Sequence, residues 1–234
     1  MNKIKKLSLV FLFILAANMK VFAESGFEAA LSVPLGASFG IFTGEITTTG
    51  IAPAINSEIG FDSGVHAQIG YMFDFGGFGL SLLGDLGYSY DSYRYSLSIS
   101  GFGNEMKLYR NLYLHSFQLG VLPKFNFGNF ALGIGGGVKI PISGTIEMKE
   151  TYNGSESNNQ KTDYKSSYFG SNIIGYIKAT FDYSLFFTDN MAFVLGAYIG
   201  YDIGLSDKTD KDTRVDSFDV GAQLGFKFGP RVGY

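Results

Sequence analysis

The residues best suited to chemistry are few in this chain and badly placed for it. Only two histidines occur, His66 and His115, and there is no cysteine. Without Cys there can be no disulfide, thiolate metal site or cysteine nucleophile. A nucleophile and its base must reach each other on one face. His115 is followed directly by Ser116, and adjacent residues of an extended strand point to opposite faces. No Ser–His–carboxylate triad is expected. Asp207, Asp210 and Asp212 lack the spacing and glycine of a calcium loop and read as a solvated acidic segment. Gly133-x-Gly135 precedes no helix, so it makes no phosphate loop, and Asn153-Gly154-Ser155 is a chance match to a glycosylation acceptor. No catalytic residue, cofactor or metal site is expected. A net charge of −3 offers no broad basic face for nucleic acid.

What must position these residues is legible in composition. The 234 residues include 32 Gly, 23 Phe and 15 Tyr, with no Trp and 17% charged side chains. Interior glycine costs a helix about 1 kcal/mol relative to Ala, so mostly helical structure is disfavoured. A hydrophobic share of 46% excludes disorder. The first residues read as an export signal: Lys3, Lys5 and Lys6, an apolar run from Leu7 to Ala17, then Val21-Phe22-Ala23 before a cut. That run is too short for a membrane helix, which needs about 20 apolar residues. Residues 1–23 are expected to be removed and 24–234 to form one domain. Four of the 18 basic residues and none of the 21 acidic ones precede Glu24, so the remainder carries a net −7.

Residues 61–73 set the pattern. Phe61, Val65, Ile69, Tyr71 and Phe73 occupy odd positions, whereas Asp62, Gly64, His66 and Gln68 occupy even ones. A period of two puts these sets on opposite faces of a strand. The division recurs in segments beginning at Phe27, Phe78, Tyr113, Phe130, Ile173, Phe193 and Phe218, which makes eight strands. Glu28, Asp62, Asp85, Lys124, Lys139, Lys178, Asp182, Asp202, Asp219 and Lys227 all fall on the parity opposite to the apolar set. A water-facing surface would carry about a quarter to a third charge. This polar face is mostly Gly and Ser, which suits the crowded lumen of a narrow barrel, and aromatic strand ends match the girdles of a barrel in lipid. His66 joins the same lumen network, hydrogen-bonded rather than reactive.

Connections alternate in length. Short turns lie at Asp74–Gly77, Asn126–Asn129 and Thr188–Asn190, where Asp, Asn and Gly supply the reversal. Longer polar connections lie at about 43–60, 92–111, 143–171 and 204–214. Short periplasmic turns and long extracellular loops are the pattern of outer-membrane barrels, which places both mature ends in the periplasm. The Tyr-rich connection (Tyr88, Tyr90, Tyr93, Tyr95, Tyr109, Tyr113) reads equally as an adhesive surface or as strands continued beyond the membrane.

The chain ends Lys227-Phe228-Gly229-Pro230-Arg231-Val232-Gly233-Tyr234. Lys227, Gly229, Val232 and Tyr234 match the C-terminal assembly signal of bacterial outer-membrane proteins. With the eight alternating segments, the mature chain resembles the OmpA/OmpX-like family of small outer-membrane barrels. Two prolines depart from the pattern, Pro230 in the signal and Pro34 in the first strand, because proline cannot donate to a ladder. The resemblance implies an all-β, eight-stranded antiparallel up-and-down barrel in the outer membrane of a Gram-negative-type bacterium. It implies export through the Sec pathway, insertion by the barrel-assembly machinery and contact with outer-membrane lipid; in departure from OmpA itself, the peptidoglycan-binding domain that follows the barrel there is expected to be missing. Barrels of this size that deacylate lipopolysaccharide place His and Ser two apart on one face, which His115 and Ser116 do not match. The expected function is a structural or surface-interaction platform with a plugged lumen and polar loops for an unidentified ligand. The alternatives are a small pore and, behind it, a lipid-modifying enzyme.

Overall fold

Strands with one apolar and one polar face gain most when the polar faces are enclosed together and every edge is paired, and closing the sheet on itself achieves both. The structure, a computed structural model, describes residues 25–44, 53–101, 103–206 and 213–232. The expected leader 1–23, the acidic Asp207, Asp210 and Asp212, and Tyr234 lie outside the described residues. The strands are β1 (Gly26–Thr43), β2 (Ala54–Ser57), β3 (Ile59–Asp74), β4 (Gly79–Gly101), β5 (Asn104–Phe127), β6 (Phe130–Tyr152), β7 (Ser155–Asp163), β8 (Ile174–Thr188), β9 (Met191–Ile203) and β10 (Arg214–Phe228). Eight of them form a closed antiparallel ring in the order β1-β3-β4-β5-β6-β8-β9-β10, with β10 returning to β1. β2 adds to the outer part of β4, and β7 to the outer part of β6.

The short turns form as their residues dictate. The Asp74 carboxylate accepts from the Gly76 N–H at 2.6 Å, and Gly76 takes φ +74°, a backbone position that favours glycine. Two of the long connections are largely strands continued beyond the barrel, the second of the two readings left open for the Tyr-rich one. β4 and β5 stay paired beyond the barrel, from Asp91↔Leu114 to Gly101↔Asn104, so the stretch 92–111 is mostly strand. The stretch 143–171 is likewise β6 continued to Tyr152 and folded back as β7. These ladders persist because one of their faces is apolar, as the parity of Tyr93, Tyr95 and Leu97 against Ser92, Ser96 and Ser98 shows.

Neither barrel proline breaks its strand. Pro34 keeps its place opposite Gln223 of β10, while the β1–β3 ladder lacks pairs at Val33 and Pro34 and resumes in register at Leu35↔Ser63. Pro141 sits beside a bulge: His115 pairs Ser143 but Ser116 pairs Pro141, so Ile142 is one residue too many. A bulge reverses which parity faces inward. β10 ends at Phe228, before Pro230.

Beyond Tyr90, β4 leaves β3 and lies across the barrel mouth. Its last pair with β3 is Ser63↔Tyr90, after which Ser38 Oγ donates to the Ser92 carbonyl at 3.0 Å and Glu58 N–H to the Arg94 carbonyl at 3.1 Å. Gly40 and Gly60 make this crossing possible. A Cβ on Gly40 would stand against the backbone of Arg94, and one on Gly60 against the Ser92 side chain.

Candidate functional site

Side chains inside the ring form three polar layers. Nearest the short turns, Lys227 Nζ lies 3.0 Å from Glu28, and Ser81 donates to the same carboxylate. Beside them Lys124 Nζ meets Asp182 at 2.7 Å, and Gln223 donates to its other oxygen at 2.5 Å. In the middle layer Asp85, fully buried, accepts from Lys178 at 2.6 Å, Gln118 at 2.8 Å and Tyr176 at 3.0 Å. In the third layer Lys139 bridges Asp91 at 2.7 Å and Asp202 at 2.6 Å, and Tyr93 donates to Asp202 at 2.8 Å. Full desolvation would cost several kcal/mol per ion, and these contacts are the kind that offsets it.

Two acids depart from the expected pairing. Asp62 and Asp219 have no lysine or arginine within 4 Å among the described residues. Asp62 accepts instead from Ser38 at 3.0 Å and the Ser92 N–H at 2.8 Å, and Asp219 from Ser217 at 2.5 Å. Acids outnumber the four lumen lysines, each of which is engaged elsewhere, Lys139 with both Asp91 and Asp202. His66 is 8% exposed and lines a polar cavity of about 50 Å³ between the second and third layers, together with Asp62, Tyr176 and Tyr198. Such a cavity is large and polar enough for ordered water.

Both ends of the lumen are apolar. Toward the short turns Met72 is fully buried and Val232 is 3% exposed, close under Gly79. Toward the mouth Tyr93, Leu114, Ile174 and Leu205 pack as one buried cluster. The polar network therefore lies between two buried apolar groups.

The remaining expected residues are scattered. His115 is on the outer face, its Nδ1 2.5 Å from the Tyr88 hydroxyl and its ring against Tyr90, whereas Ser116 is buried in the lumen. Of the terminal signal, Lys227 is in the lumen, Gly229 follows the last strand and Val232 is packed inside.

Sequence reading passed over several lumen residues. Asp91 lies two positions beyond Ser89 on the same parity, so extending the alternation finds it. Tyr176 and Tyr198 are aromatics on the polar parity. Each lies over glycines of neighbouring strands, Gly137 and Gly120 for Tyr176, Gly221 and Gly36 for Tyr198. The lumen glycines are the space those rings fill. Asp216, also missed, is held by Arg214 at 2.9 Å and Tyr201 at 2.8 Å near the mouth.

Outside the lumen a second concavity opens at the mouth. A cleft of about 650 Å³ lies between the projecting β4–β7 sheet, the segment around Tyr168 and Phe169, and the tips of β1 and β10.

The closed ring, apolar without and polar within, defines an eight-stranded antiparallel β-barrel with a side-chain-lined lumen. No protein-family model and no curated protein matches the chain. Among solved structures it is similar to Ail, the attachment invasion locus protein of Yersinia pestis, at 15% identity over 86% of this chain and 98% of that one, with a TM-score of 0.36. It is also similar to Neisserial surface protein A at 15% identity (88% and 98% covered, TM-score 0.32). A third likeness is to the outer membrane protease OmpT of Escherichia coli at 10% identity (89% and 98% covered, TM-score 0.39). The ring of ladders defines the fold independently of these likenesses.

Proposed function

We propose that the chain is a bacterial outer-membrane protein whose barrel is a closed, rigid anchor and whose projecting sheet is a platform at the cell surface. The observation that carries this reading is an inversion along β4. In the ring its apolar residues Leu82, Leu86 and Tyr88 face outward, at 38–51% exposure, and Asp85 faces in. Beyond Tyr90 the apolar set passes to the inward parity, with Tyr93 buried and Tyr95 and Leu97 half-buried toward the mouth. Apolar side chains face lipid where lipid is the solvent and turn away from it where water is. Rings mark the two boundaries. At the short turns Phe75, Phe78, Phe125, Phe127 and Phe130 touch in series, and at the mouth Tyr88, Tyr90, Tyr113 and His115 do. Phe78, just before β4, and Tyr90 on it share a parity, and at about 3.4 Å per residue with a tilt of about 40° they stand roughly 30 Å apart, the thickness of a hydrocarbon core.

The export signal supports passage through the Sec pathway, with the barrel-assembly machinery and outer-membrane lipid as partners and both mature ends in the periplasm. No catalytic step is assigned, because His115 is occupied by Tyr88 and Ser116 faces the other way. Planar-bilayer recording tests the closed lumen. The expected result is a silent membrane; steady ion-selective openings would replace this reading with a small pore.

A further inference from the structure

The geometry points to a binding site for a long-chain carboxylate in the cleft at the barrel mouth. This rests on the platform reading only for the source of the ligand; the cleft exists wherever the protein resides.

The cleft is lined mainly by apolar side chains, among them Phe42, Tyr95, Leu97, Leu112, Ile146 and Met148. Its volume of about 650 Å³ is that of a small-molecule site, which is characteristically an apolar cavity with few convergent polar groups. Arg110 is the one charged side chain lining it among the described residues. It stands directly opposite Tyr95 on β4 and Met148 on β6, and its guanidinium contacts the Met148 sulfur. No carboxylate lies within 4 Å of it among the described residues.

The Arg110 guanidinium is partly solvent-exposed at the edge of the apolar wall, so with no acid beside it, it is free to meet a ligand, and a planar carboxylate matches its donor fork. One cation suits a monoanion better than a phosphate dianion. Glu150, two positions from Met148 on the same face of β6, also disfavours the higher charge. The alkyl chain would lie against Leu97, Leu112 and Ile146, where its burial is favourable in proportion to area. The head group would meet Arg110, with Thr162, which pairs with Ile146, on the same side of the sheet.

The test uses the full barrel in lipid nanodiscs, with a dansyl-tagged undecanoate as the fluorescent probe and empty nanodiscs as the blank. Saturable binding is expected, with dodecanoate displacing the probe about tenfold better than dodecanol, the worth of one charge-assisted hydrogen bond. Arg110→Met keeps the wall apolar and should weaken the probe and abolish that preference, while the dodecanol inhibition constant, corrected for probe affinity, keeps its value. Leu97→Asp should remove binding of both, with folding checked by heat-modifiable gel mobility. Should Leu97→Asp fail to fold, Arg110→Met decides alone. No saturable signal above the blank, or an undiminished carboxylate preference in Arg110→Met, would overturn the proposal. Neither outcome depends on the cellular location, so a failure here is distinct from a failure of the platform reading.

Discussion

The barrel wall and the projecting sheet are built from the same strands with opposite faces turned to the solvent. In the wall, β5 presents Phe117, Leu119 and Val121 outward and Gln118 and Lys124 inward, the first set 47–63% exposed and the second at most 7%. Further along β5, Leu114 is fully buried in the cap, and Leu112 and Arg110 line the cleft. β6 makes the same change by another device. Its apolar residues keep even numbers throughout, from Ile134 to Ile140 and from Ile146 to Met148, but the extra Ile142 reverses the facing between the two groups. Solvent, more than strand propensity, decides which face is apolar, so the point of reversal marks where one solvent gives way to the other.

If the wall holds a sealed charge network and the sheet does not, the largest effect belongs to Lys139→Ala. It strands Asp91 and Asp202 without their shared cation and should cost about 3–5 kcal/mol, read as earlier urea unfolding in lipid vesicles. Val121→Arg, opposite Gly84 midway between the girdles, should cost about 2–4 kcal/mol if that level is the bilayer midplane. Ile99→Arg, on the projecting sheet and 39% exposed, should stay within about 0.5 kcal/mol. Equal costs for the two arginines would erase the distinction. Tyr93→Phe removes a hydrogen bond to the Asp202 carboxylate and should cost about 1.5–3 kcal/mol, with the apolar cap left in place.

The smallest effect concerns acid. Partial burial raises the Glu147 carboxyl, but hydrogen bonds from Asn111 and Lys161 outweigh it and hold the group below the ordinary glutamate value of 4.5. A depressed carboxyl stabilises above its unfolded value and loses that contribution as pH falls through its folded one. A spin label at Gln160 on β7, beside the Lys161–Glu147 pair at 3.2 Å, should therefore gain mobility only below pH 4.5. Mobility independent of pH would leave that pair without a structural role.

Parity alone located the ring strands and the ten charged residues of their polar face, because a barrel wall has two solvents and a period of two separates them. It carried less information where facing depends on a neighbour. Tyr176 and Tyr198 look misplaced on their own strands, and only the register with Gly120, Gly137, Gly36 and Gly221 explains them. The bulge at Ile142 conceals the reversal on β6, although Pro141 marks the place. On β4 the reversal is legible, since the apolar set passes from Leu86, Tyr88 and Tyr90 to Tyr93, Tyr95 and Leu97. Polar residues interleaved with it left the stretch 92–111 open between an adhesive loop surface and continued strands. The seal by Val232 depends on a chain that turns back after Phe228, which no strand pattern encodes.

The chain has neither Trp nor Cys, so single tryptophans report their surroundings without background. Leu86→Trp and Val121→Trp on the wall, and Tyr95→Trp and Leu97→Trp on the projecting sheet, should be compared in vesicles containing brominated phospholipid. Strong bromine quenching of the first two and little of the second two is the expected result. Equal quenching of Leu86→Trp and Tyr95→Trp would contradict a change of solvent at the level of Tyr90.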